Sequence, residues 1–75
     1  MKLTEVKQNT YLIISGILYE NAKEEATLNN YGLIIGEQVE FLQLNSFKKA
    51  YYIRIGDNQF YINEPLAQRI EVDYE

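Results

Sequence analysis

The sequence predicts a mainly β domain: a small, strongly bent barrel of about five short strands, with one short helix inserted after the first long strand. Three observations carry this reading. Short segments rich in Ile, Val, Tyr and Phe recur along the chain, as half-buried strands do. Gly, Asn, Asp and a single Pro punctuate them. Only the segment after Asn21 carries the composition and the end signals of a helix. At 75 residues the chain is read as one domain, residues 1–75, which buries roughly 60% of the surface its unfolded form exposes.

The elements follow in order. Met1–Val6 reads as a short strand or an extended arm. Lys7–Thr10 reads as a turn, with Asn9 suited to a left-handed backbone. Tyr11–Leu18 is apolar and β-branched, hence a strand, and Gly16 inside it marks a bulge or a bend. Asn21 is an N-cap residue with Glu24 at capping-box spacing, and Glu24 and Glu25 suit the positive end of the helix dipole. Ala22, Ala26, Leu28 and Tyr31 are expected to form a narrow apolar face. Gly32 fits the position after the helix that needs a positive φ.

From Gly36 onward the pattern is β. Val39, Phe41 and Gln43 are expected on one face, with Glu40, Leu42 and Leu44 on the other. Asn45–Ala50 is a loop. Tyr51, Ile53 and Ile55 then alternate with Tyr52 and Arg54. Gly56, Asp57 and Asn58 form a tight hairpin, and Phe60 and Ile62 answer inward. Asn63–Gln68 reads as a break or one helical turn, with Pro65 as its first residue. Ile70 and Val72 close the core.

Composition removes several kinds of chemistry. With no Cys and no His, the chain lacks a thiolate, the commonest neutral-pH base and the commonest metal ligand. Ser15 and Ser46 have no base in view. Adjacent Glu24 and Glu25 diverge by about 100° on a helix and do not converge on a substrate. The glycine pair Gly32 and Gly36 has neither the Lys-Ser/Thr nor the βαβ setting of a phosphate loop. No enzyme activity, cofactor, metal or catalytic residue is therefore expected. The net charge of −4 disfavours nucleic acid and anionic membrane surfaces. No apolar run is long enough to insert in a bilayer, and the N-terminus lacks the layout of a signal peptide, so a cytoplasmic location is expected. Self-association is compatible with all of this.

The order of glycines and strands resembles the FeoA family. These are small SH3-like proteins that accompany the bacterial ferrous iron transporter FeoB. Tyr31-Gly32-Leu33 stands at the family's Leu-Gly-Leu, and Ile35-Gly36 at its Pro-Gly. Val39-Glu40-Phe41-Leu42, Ile53-Arg54-Ile55, Phe60-Tyr61-Ile62, Ala67 and Ile70-Glu71-Val72 follow at the family's spacing with no gap from Tyr31 to Val72. Two loops depart from the pattern. Lys7-Gln8-Asn9 stands at Lys-Pro-Gly, and Asn45–Ala50 replaces a proline-containing loop.

The resemblance implies an SH3-like barrel and a non-enzymatic accessory role in ferrous iron uptake and iron homeostasis. It also implies binding to the cytoplasmic part of a FeoB-like membrane GTPase-permease. The alternative is a free-standing SH3-like interaction module that binds a peptide or an iron-dependent transcription regulator. Candidate partner contacts are Ile34, Ile35, Phe47, Lys48 and Lys49, because apolar groups on loops mark contact sites. Ile34 and Ile35 lie in the first half of a turn ending at Gly36, where a type II turn takes positive φ. Either Ile35 or Phe47 could instead cap an end of the barrel. Tyr11, Tyr19, Tyr52 and Tyr61 are candidates for an aromatic peptide groove, or ordinary strand tyrosines with wet hydroxyls.

Overall fold

The computed structural model describes residues Met1–Glu75. A 3-10 turn (Leu3–Glu5) precedes β1 (Thr10–Ile17), α1 (Ala22–Asn30), β2 (Gln38–Asn45), β3 (Ala50–Ile55) and β4 (Asn58–Asn63). The helical turn α2 (Glu64–Ala67) then leads into β5 (Ile70–Tyr74). The five strands form one antiparallel sheet in the order β4-β3-β2-β1-β5. β4 and β5 are its two edges, and α2 joins them. The molecule is thus the expected mainly β, SH3-like fold, a bent sheet open along one seam.

The alternation of apolar residues places one side of each strand in a common core. Leu12, Ile14, Val39, Phe41, Ile53, Ile70 and Val72 are each at most 1% exposed. Tyr51, Ile55 and Ile62 complete it, with Phe60 packed at its border. Two bulges bend the sheet. One lies between Ile14 and Gly16 opposite β5, as the glycine predicted. The other lies between Phe41 and Gln43 opposite β3. This second bulge shifts the side-chain phase. Beyond it Leu44 pairs with buried Tyr51, and Gln43 pairs with Tyr52 and faces solvent. The expected place of Gln43 beside Val39 and Phe41 therefore falls to Leu44, which sits at the rim of the sheet and stays 38% exposed, because an extra residue in a strand flips every later side chain.

The helix begins and ends as its sequence predicts. The Asn21 side chain accepts a hydrogen bond from the Glu24 N–H at 2.8 Å. At the other end the Gly32 N–H donates to the Asn29 carbonyl and the Leu33 N–H to the Leu28 carbonyl, both at 3.0 Å, with Gly32 at φ +92°. That pair of bonds is a Schellman motif, and buried Leu33 and Leu28 are its apolar contact. The expected apolar face is different, however. Ala22, Ala26 and Tyr31 are exposed, and the less exposed residues are Glu24, Leu28 and Asn29. Only Leu28 in α1 is buried. A short amphipathic face with two alanines offers little area, so tertiary contacts chose the orientation.

Two smaller expectations are corrected. Met1–Val6 is neither a plain strand nor an arm. Lys2 makes one bridge to Glu71, and the chain then coils so that Leu3 and Val6 enter the core. Pro65 is the second residue of α2, since Asn63 caps it by accepting from the Leu66 N–H at 3.0 Å. Asn9 has φ +65°, as expected of a left-handed turn residue.

Candidate partner-binding surface

The turn before β2 is held by backbone bonds on both sides. The Glu37 N–H donates to the Ile34 carbonyl at 3.1 Å, closing a four-residue turn with Gly36 at its third position and φ +95°. The Gly36 N–H donates to the Ile14 carbonyl, and the Ile14 N–H donates to the Glu37 carbonyl. This pins the turn to β1 and leaves its side chains free. Ile34 is 42% and Ile35 60% exposed.

Phe47 lies at the tip of the β2–β3 hairpin and is 95% exposed. The tip is shaped locally. The Asn45 side chain accepts from the Lys48 N–H at 3.1 Å, and Lys49 takes φ +51°. Lys48 and Lys49 thus stand beside an unburied ring in a protein of net charge −4. The Ile34–Ile35 turn precedes β2 and the Phe47 tip follows it. Eight residues of strand separate them, about 26 Å at ~3.3 Å per residue. The two candidate patches therefore occupy opposite ends of β2 and do not form one surface.

The candidate tyrosines also divide. The Tyr19 hydroxyl donates toward Asn29 Oδ1 at 3.1 Å and the Leu33 carbonyl at 3.3 Å. It ties the end of β1 to the end of α1, and burial, reinforced by Glu25, pushes its pKa up. Tyr52 and Tyr61 stack at 4.5 Å between ring centroids on the outer face of the sheet, and Tyr52 donates to Gln59 Oε1 at 2.8 Å. Tyr11 is exposed on the same sheet, opposite Glu40, which pairs with Arg54.

A groove runs between α1 and β4–α2. Its volume is about 450 Å³, and Leu28, Tyr31, Phe60, Tyr61, Pro65 and Leu66 supply its apolar lining. Tyr31 packs on Phe60 at 5.3 Å between ring centroids. The end nearest α2 is charged. Arg69 donates to both carboxylate oxygens of Glu24, at 2.6 and 3.1 Å, and to the Leu18 carbonyl at 2.8 Å. It also lies 3.2 Å from Glu20. Hydrogen bonds from Arg69, then from the Glu20 N–H, hold the Glu24 carboxyl below its ordinary pKa. Tyr61 is the one member of the candidate aromatic set that lines this groove, and it was the sequence signal for it. The meeting of Glu24 with Arg69 left none, because 45 residues separate them.

No three acidic side chains converge in a way that would hold a metal ion, and no helix is long and apolar enough to cross a membrane. The family model described as the FeoA domain matches residues 1–74. No curated protein sequence matches the chain. A crystal structure described as iron uptake regulatory protein (FeoA) is 25% identical, with a TM-score of 0.81, over 97% of this chain and 93% of that one. A FeoA-like protein from Clostridium acetobutylicum is 18% identical, with a TM-score of 0.82, over 99% and 85% of the two chains. The metal-dependent transcriptional regulator MtsR is 23% identical over all of this chain, with a TM-score of 0.86. This chain spans only 36% of MtsR, and about the same share of the regulator ScaR.

Proposed function

The chain belongs to the FeoA family, and on that premise we propose that it is a non-enzymatic accessory protein of ferrous iron uptake that binds the cytoplasmic part of a FeoB-like transporter. The observation that carries this is the FeoA match along residues 1–74. The geometry supports it by offering contact groups and no catalytic constellation. Phe47, with Lys48 and Lys49, is the principal contact, since an aromatic ring at 95% exposure has no structural use where it stands. Ile34 and Ile35 form a second contact at the far end of β2. A domain of this kind acts by binding one state of its partner more tightly than another, and so shifts the partner's equilibrium.

The test is binding of the purified protein to the cytoplasmic domain of a FeoB-like transporter, measured by calorimetry beside Phe47→Ala and Ile35→Asp. The reading expects saturable binding that Phe47→Ala weakens. Absence of wild-type binding at high concentration would overturn it. If Ile35→Asp alone weakens binding, the principal contact moves to the other end of β2.

A further inference from the structure

The two edges of the sheet are treated differently. Along β5 the outer edge is covered. The Val72 N–H donates to the Met1 carbonyl at 2.7 Å, Lys2 bridges Glu71, and the terminal amino group lies 3.3 Å from both the Val72 carbonyl and Glu71. β4 has no such cover. It pairs only with β3, and none of the backbone hydrogen bonds outside regular elements reaches it. The connection from Ile55 to Asn58 has two residues, which makes Ile55 and Asn58 a hydrogen-bonded pair. By alternation Phe60 and Ile62 also bond to β3, and the N–H and C=O groups of Gln59 and Tyr61 point away from the sheet.

Natural edge strands are usually blunted by Lys, Pro, a bulge or a covering segment. β4 reads Asn-Gln-Phe-Tyr-Ile-Asn, with no charge, no proline and no bulge against β3. The groove described above lies along this same edge. Phe60, Tyr61, Ile62 and Asn63 all line it. Consecutive strand residues point to opposite faces, so a cavity bordered by four in a row runs beside the backbone edge and not over one face.

We propose that this groove is a docking site for an extended segment of a partner protein, which adds to the sheet as a sixth strand against β4. The backbone groups of Gln59 and Tyr61 supply the pairing, and the apolar lining receives alternate side chains of the segment. The charged end specifies the rest. Arg69 is committed to Glu24, Glu20 and the Leu18 carbonyl, and Glu20 remains 65% exposed. Two carboxylates against one engaged guanidinium leave a negative rim, so the segment carries a Lys or Arg at that end. A second copy of this chain would bring the same acidic rim and the same net charge of −4, so a basic partner is the better fit. The inference concerns this groove alone and does not depend on which protein supplies the segment.

The experiment selects random linear twelve-residue peptides on the immobilised protein and follows amide hydrogen exchange on binding the enriched ones. The expected peptides alternate apolar residues and hold one basic residue. They slow exchange at Gln59 and Tyr61 by about tenfold or more, as burial of an open backbone donor requires, and N-methylation at alternate backbone nitrogens abolishes binding. Gln59→Pro, which removes an outward N–H at an edge position, should lose the same binding and keep its circular dichroism spectrum. Three results would each overturn the proposal: no enrichment, enriched peptides that leave Gln59 and Tyr61 unprotected, or binding that survives N-methylation. Protection of β4 that rises with protein concentration and needs no peptide would overturn it in favour of self-pairing.

Discussion

Arg69 grips Glu24 through two hydrogen bonds of 2.6 and 3.1 Å across 45 residues of sequence, and this contact docks the start of α1 on the segment leading into β5. Glu24 also accepts from the Glu20 N–H at 2.9 Å. One side chain therefore caps the helix entry and anchors it to the barrel.

The pairing makes stability depend on pH in a defined direction. The folded state holds the Glu24 carboxyl below its ordinary value of 4.5, chiefly through the Arg69 hydrogen bond. Such a group adds stability that is fully present above the unfolded pKa and is lost as pH falls through the folded one. Wild type should be more stable than Glu24→Gln at pH 7, and the gap should close only as pH falls below 4.5 and through the lowered folded pKa. Thermal midpoints measured from pH 7 to pH 2.5 check this. Two parallel curves would show that the contact contributes nothing through its charge.

Gly32 and Gly36 both have positive φ, at +92° and +95°, but their surroundings differ. A Cβ on Gly32 would lie 2.9 Å from Ile55 Cγ2, whereas one on Gly36 meets nothing within 4 Å. Gly36→Ala should therefore cost only the backbone penalty, about 1–2 kcal/mol. Gly32→Ala should cost more, about 3 kcal/mol, since Ile55 must also shift. Urea denaturation gives both values, and equal costs would refute the steric part.

Leu28 is the single buried residue of α1, and Tyr19 is the polar tie at the other side of the helix end. Leu28→Ala should lower stability by about 2–3 kcal/mol, the low end for leucine because the site borders an open groove. Tyr19→Phe should cost about 1 kcal/mol for its hydroxyl bonds. In both variants the amides of α1 should exchange faster while those of β2 and β3 keep their order. Uniform acceleration through the sheet would mean that the helix does not open independently.

Phe47 gives the converse case. At 95% exposure its replacement by Ala should change folding stability by less than about 0.5 kcal/mol. A larger loss by urea denaturation would show that the ring packs on something and is not a free contact.

Local geometry was legible in the sequence, and juxtaposition was not. Asn9, Gly16, Asn21 and Gly32 each announced a turn, a bulge, a cap and a helix stop, because those features depend on backbone angles and on neighbours within a few residues. The face of α1 was misread because Ala22 and Ala26 looked apolar while Glu24, an acid, turns inward to meet a residue far along the chain. The bulge after Phe41 has no glycine to mark it, so the phase of Gln43 and Leu44 could not be read. The candidate contacts Ile35 and Phe47 were each legible as loop residues. That they lie at opposite ends of β2, and that a groove opens between α1 and β4, follows only from the three-dimensional path.

The strand order also bears on how the molecule assembles in time. β2, β3 and β4 are consecutive hairpins, so their pairing closes short loops. β5 must return to β1, where Ile17 meets Ile70, and ordering that long loop is entropically slow. The hairpin meander is then expected to be the nucleus, with the β1–β5 pairing forming last, which φ-values measured along both would check. Substitutions on β5 such as Ile70→Val would leave the refolding rate nearly unchanged and accelerate unfolding, so the lifetime of the native state is set at that pairing.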